Sequence, residues 1–147
     1  MKPCGIFLIS AALSLAILMA GCTGSGTAPP LERTAWTLTE IRNDAGDLVP
    51  VLAGTGVTAE FSADGRVTGS AGCNRYFAGY STGGNRISIT DAGSTMMFCG
   101  DPEGLMVQES LFLGQLAAST DFRIEGTTLT LLGDGARPLL VFRPGTG

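Results

Sequence analysis

Short runs of alternating apolar and polar residues, each cut off by a glycine-bearing turn, limit this chain to a narrow set of folds. Val57, Ala59 and Phe61 alternate with Thr58, Glu60 and Ser62. Asp64-Gly65 follows at once, and Arg66-Val67-Thr68 resumes the strand. Period-two alternation sets one strand face against a core and the other toward water, and a turn dipeptide between two such runs specifies a hairpin. The same pattern covers 35–41, then 76–82 and 85–90 across Gly83-Gly84, then 121–125 and 127–132 across Gly126. Gly133-Asp134-Gly135 turns the chain into a last strand at 138–143, while 94–98 reads as a short strand carrying two methionines. Asp44-Ala45-Gly46 is a turn, and 50–56 a loop or broken strand. Between these runs, residues 69–80 hold three glycines, a cysteine and two tyrosines, and read as a strand that bends sharply and starts again.

One segment breaks the pattern. Leu105, Phe112 and Leu116 recur at helical spacing, with Met106 and Leu113 beside them. Asp101 suits an N-cap, Pro102 the first helical position and Glu103 the positive helix start, which predicts a helix over 102–118. Gly104 and Gly114 each weaken it by about 1 kcal/mol relative to Ala, so packing must hold it. No helices cross over between the strands, which argues against a parallel α/β sheet. The expected fold is mainly β with one helix: a small, strongly bent antiparallel sheet or β-barrel-like domain, with the helix packed across one opening.

Composition narrows the chemistry. The chain has no histidine, and its single lysine is Lys2. Beyond Lys2, eight arginines face thirteen acidic residues, a balance of −5 with no basic run, so nucleic acid is excluded as an expected partner. Ser and Thr are plentiful, but without a His or Lys base none is set up as a nucleophile. Asp44, Asp47, Asp64 and Asp134 fall in turns or on polar strand faces and read as solvated. We therefore expect no enzyme, no catalytic residues, no cofactor and no metal centre.

The N-terminus reads as an address. Lys2 precedes an uncharged apolar run from Ile6 to Ala20, short for a membrane span and suited to a signal peptide. The run ends Leu18-Met19-Ala20-Gly21-Cys22, which resembles the lipobox of bacterial lipoproteins, with Met19 where Leu is usual. That resemblance implies a signal over 1–21, acylation of Cys22, a flexible tether over 22–30 and a folded domain over 31–147. The expected partner is the membrane, through this N-terminal lipid anchor, and the expected place is the cell envelope. With Thr23 after the cysteine, the resemblance implies the outer membrane, facing the periplasm, in a host with two membranes, and the outer face of the cell membrane otherwise. Cys4 leaves with the signal. Cys73 and Cys99 then remain as the single possible pair, expected to form a disulfide in an oxidising compartment. Two free buried thiols or a metal pair are the alternatives, although two thiolates without histidine make a poor zinc site.

At this point a family resemblance emerges. Gly69-Ser70-Ala71-Gly72-Cys73-Asn74-Arg75-Tyr76, Gly79-Tyr80, Gly84 and Ile87-Ser88-Ile89 resemble the core of the META/HslJ-like domain. So do Ser94-Thr95-Met96-Met97-Phe98-Cys99, Gln108-Glu109 with Phe112-Leu113, Trp36, and the closing strand at 139–142. Phe77-Ala78 and Met97-Phe98 depart from the usual pattern. The resemblance implies a small barrel-like domain with one helix, often a bacterial lipoprotein, associated with heat shock and envelope stress and with no assigned catalysis. The implied role is an accessory or stress-response binding factor. Two alternatives are a partner-binding module of the kind that inhibits lysozyme and a carrier of lipid or another hydrophobic ligand.

The candidate clamp or binding residues are Asn74, Arg75, Tyr76 and Glu109. Glu109 falls on the apolar side of the helix, three residues after Met106 and three before Phe112, so it needs a buried partner, for which Arg75 is the candidate. Such a pair would be a helix-to-sheet clamp or a ligand site. Asn74 is a turn former or a binding residue, while Tyr76 and Tyr80 are packing residues with a bonded hydroxyl. Met96, Met97, Phe98 and Met106 are expected in the core, or else along an adaptable apolar groove.

Overall fold

The computed structural model describes residues 28–145. The signal segment, Cys22 and most of the tether lie outside the described residues. Nine antiparallel strands follow in chain order: β1 Ala35–Arg42, β2 Leu48–Pro50, β3 Thr58–Ser62, β4 Arg66–Ser70, β5 Arg75–Gly83, β6 Arg86–Ser94, β7 Asp121–Glu125, β8 Thr128–Gly133 and β9 Arg137–Pro144. One helix, α1, spans Leu105–Ala117 between β6 and β7. The sheet order is β2-β1-β3-β4-β5-β6-β7-β8-β9, and β1 also pairs with β9. That last pairing closes the sheet on itself, so that the free edges left are the three-residue β2 and the stretch where β6 and β7 part.

Alternation fills the interior. Trp36 and Leu38 of β1, Ala59 and Phe61 of β3, Val67 of β4, Tyr76, Ala78 and Tyr80 of β5, and Leu140 and Phe142 of β9 all point inward and are buried. In β1 the phase changes: a bulge between Leu38 and Glu40 lets Ile41 join the same face. A bulge adds one residue to a strand, which resets the inward parity. β6 and β7 share a single register pair, Arg86 with Asp121. Beyond that point the wall parts, and α1 lies across the gap with Phe112 and Leu116 fully buried. Phe112 meets Tyr76 edge to face, with ring centroids 5.3 Å apart.

The mainly β, barrel-like fold with one helix forms as expected, and several local readings change. The second hairpin turns at Gly84-Asn85, because Gly83 pairs with Arg86. Of the two readings of 50–56, the loop holds for 51–56, and the strand lies before it as β2 at Leu48–Pro50, paired with β1. Residues 95–100 form no strand. Met97 bonds the side chain of Asn74 instead of a neighbouring strand, so no ladder can propagate there. Asp101 does not cap the helix. Gly104, at φ 87°, turns the backbone directly before Leu105, and α1 starts with no side-chain cap and no acid in its first turn.

Candidate functional site

The sharp corner between β4 and β5 is made by close approach. A Cβ on Gly69 would meet the Thr58 carbonyl oxygen at 2.1 Å. Gly72 sits at φ 117°, and a Cβ there would meet Leu105 Cδ1 at 2.7 Å. The corner is therefore bare backbone against which the first turn of α1 packs. Its amides point at the helix, and the helix answers with a carboxylate.

Glu109 is that carboxylate, 4% exposed. Its Oε2 accepts the backbone N–H of Cys73 at 3.0 Å and of Asn74 at 2.7 Å. Its Oε1 accepts from Asn74 Nδ2 at 2.6 Å. Asn74, also buried, uses every polar atom of its side chain. Nδ2 donates to Glu109 and to the Met97 carbonyl, while Oδ1 accepts from Thr95 Oγ1 at 2.8 Å and the Met97 N–H at 2.7 Å. These partners leave one amide orientation, since donors surround Oδ1 and acceptors surround Nδ2. A buried carboxylate with three donors in place is tolerable where an unpaired one would not be.

Arg75 is not the partner of Glu109. Strand alternation turns its side chain outward while Tyr76 turns inward, and backbone amides plus Asn74 take the role expected of a cation. Tyr76 donates its hydroxyl to the Thr58 carbonyl at 2.8 Å, and burial raises its pKa above the usual phenol range. Tyr80 donates toward Ser62 O at 2.8 Å and Glu32 Oε1 at 3.1 Å; burial, with Glu32 and Asp64 adding to it, pushes the phenol up to about 12. Both tyrosines are neutral packing residues. Cys73 and Cys99 form the expected disulfide, with Cα atoms 5.8 Å apart.

Sequence reasoning missed Gln108 as a site residue. Its Oε1 accepts from the Leu52 N–H at 2.6 Å, and its Nε2 donates to Thr55 Oγ1 at 3.1 Å. Gln108 and Glu109 thus grip two different loops from adjacent helical positions. The signal was available, because Leu105, Gln108, Glu109, Phe112 and Leu116 together trace one buried helical stripe. Thr95 was missed as a site residue as well, although it stands in the Ser94–Cys99 segment that carries the family resemblance.

The network holds residues 95–99, and these expose apolar side chains to water. Met96 is 97% exposed, Met97 58% and Phe98 83%, against the core positions expected for them. Cys99 is fixed behind them by the disulfide and by its N–H to Met106 Sδ at 3.4 Å. Among the described residues no cluster of three or more His, Cys, Asp or Glu could hold a metal.

The META domain family model matches residues 29–145. The chain belongs to the META domain family. Its fold is similar to that of a protein from Burkholderia xenovorans solved by NMR, at 26% identity and a TM-score of 0.63, over 80% of this chain and 85% of that one. It is also similar to a DUF4847 family protein from Bacteroides vulgatus, at 14% identity and a TM-score of 0.53, over 78% and 94% of the two chains; there the likeness is one of fold alone. Among curated proteins, none matches. In this META domain the glycine-rich corner and Gln108-Glu109 form one structure, a helix-borne clamp on two loops.

Proposed function

We propose that this META-domain protein is a non-enzymatic, lipid-anchored protein of the cell envelope, acylated at Cys22. It acts by binding another protein, as an accessory or stress-response factor. One observation carries the binding part. A disulfide and a fully satisfied buried network fix a loop whose own large apolar side chains, Met96 and Phe98, are left in water. A loop fixed beforehand loses little entropy when it docks, and that favours a partner with a shaped cleft over a lipid surface, which needs no fixed shape. Phe112 and Leu116 fill the space beneath the helix, which weighs against a carrier with a cavity there. The anchor rests on the lipobox-like segment. Among the described residues, no helix is long and apolar enough to cross a membrane.

The test joins both parts. Cells expressing the full chain are labelled with palmitate, and the Cys22→Ser variant is expected to lose the label and leave the membrane fraction. A photoreactive p-benzoyl-phenylalanine at position 96 is expected to crosslink to protein, while the same group at exposed Glu60 on the barrel wall is not. Label retained by Cys22→Ser refutes the anchor. Equal crosslinking from both positions refutes the loop as the contact.

A further inference from the structure

The projecting loop has a recessed counterpart on the same molecule. Ile41, Val49, Pro50 and Leu52 of the β1–β2 side and Val107 and Leu111 of α1 line an open, mainly apolar groove of about 340 Å³. Val107 on its rim is 72% exposed. Loop and groove flank the first turns of the same helix. Met106 receives the Cys99 N–H on the loop side, and Gln108 receives the Leu52 N–H on the groove side.

We propose that the partner of the loop is a second copy of this chain, with Phe98 and Met96 of each copy seated in the 41/49/107/111 groove of the other. The inference rests on the binding role given to the loop above and names its occupant. A chain that carries both a projecting and a recessed apolar surface side by side can satisfy both through one two-fold axis, each contact being made twice. Area supports this. At about 200 Å² for a large side chain, the three loop residues leave about 480 Å² in water, and doubled across the axis the loops and grooves of two copies reach the roughly 1,000 Å² in total that a specific interface needs. Charge supports it too. Arg75, whose backbone bonds Thr95, holds its side chain exposed on the loop side, along with Asp101. Asp44 and Glu103 stand at the groove, Asp44 sharing a surface depression with Val107 and Leu111, and Glu103 preceding Gly104 in the groove wall. Among the described residues the one ion pair is Arg123 with Glu125, so Arg75 is available to meet the acidic rim across the axis.

The test places p-benzoyl-phenylalanine at position 98 of the full chain and irradiates it in its own membrane. The expected product has twice the chain mass, with crosslinks mapping to 49–52 or 104–111. Val107→Asp, a change at an exposed position, is expected to cut that product at least tenfold and to turn a dimer into a monomer in sedimentation of the detergent-solubilised chain. A doubled product whose crosslinks map elsewhere overturns the proposed pairing. Crosslinks to a different protein overturn the dimer and leave the binding role standing. Crosslinks to lipid alone, or a monomer with no crosslinks at all, overturn both.

Discussion

Replacing Glu109 with glutamine tests the clamp while keeping its shape. The remaining side-chain oxygen can still accept from the Cys73 and Asn74 amides, but the new NH2 group faces Asn74 Nδ2, donor against donor. Asn74 cannot turn over to relieve this, because Thr95 Oγ1 and the Met97 N–H already hold its oxygen. Two charge-assisted bonds become neutral ones, and one buried donor pair goes unsatisfied. Together these are expected to cost about 2–4 kcal/mol. For a domain of this size that lowers Tm by roughly 8–16 °C. Urea unfolding reads the loss directly, provided wild type and Glu109→Gln share one m-value. A cycle with Asn74→Ala is expected to give a coupling of at least about 1 kcal/mol. A loss below about 0.5 kcal/mol, or additive single changes, would show that the buried network contributes nothing and that packing alone fixes the corner.

Four further outcomes follow from the same contacts. Gly69→Ala and Gly72→Ala are each expected to cost more than about 1 kcal/mol, the first by driving its Cβ into the Thr58 backbone and the second because a φ of 117° strains any side chain while Leu105 is also pressed; a loss below about 0.5 kcal/mol in urea at either position refutes this. Cys73→Ser with Cys99→Ser is expected to cost about 3.5 kcal/mol, since the bond closes a loop with 26 residues of separation. In hydrogen exchange the Met97 amide is expected to be protected while its side chain remains accessible to oxidation, and Asn74→Ala should abolish that protection selectively. Stability is expected to fall as pH rises from about 10 to about 12. Tyr80 has a higher pKa folded than unfolded, so the native state keeps its proton while the unfolded state gains by releasing it. Tyr80→Phe should flatten part of that slope in urea midpoints measured at pH 8 and pH 11.

Much of the fold could be read from local pattern. Alternation and turn residues located the main hairpins, because each is a short-range choice between two faces and a turn. The helix was legible from Leu105, Phe112 and Leu116, and its buried Glu109 from the same spacing. The partner of Glu109 was not. Pairing it with Arg75 treated the residue types alone, whereas the outward parity of β5 removed Arg75 and left backbone amides, which every sequence carries alike. Met96, Met97 and Phe98 misled for a related reason. Their hydrophobicity favours burial in general, and only the Asn74 side chain and the disulfide, acting across more than twenty residues, force them outward.

The sequence alone determined the β-rich class, the single helix and the acidic balance, because these depend on composition and near-neighbour periodicity. Tertiary structure decided the closure of β1 on β9, the bulge that brings Ile41 inside, and the carboxylate set against bare amides at the glycine corner. It also decided which apolar residues meet water. Those outcomes depend on where distant segments meet, and no local pattern encodes that meeting.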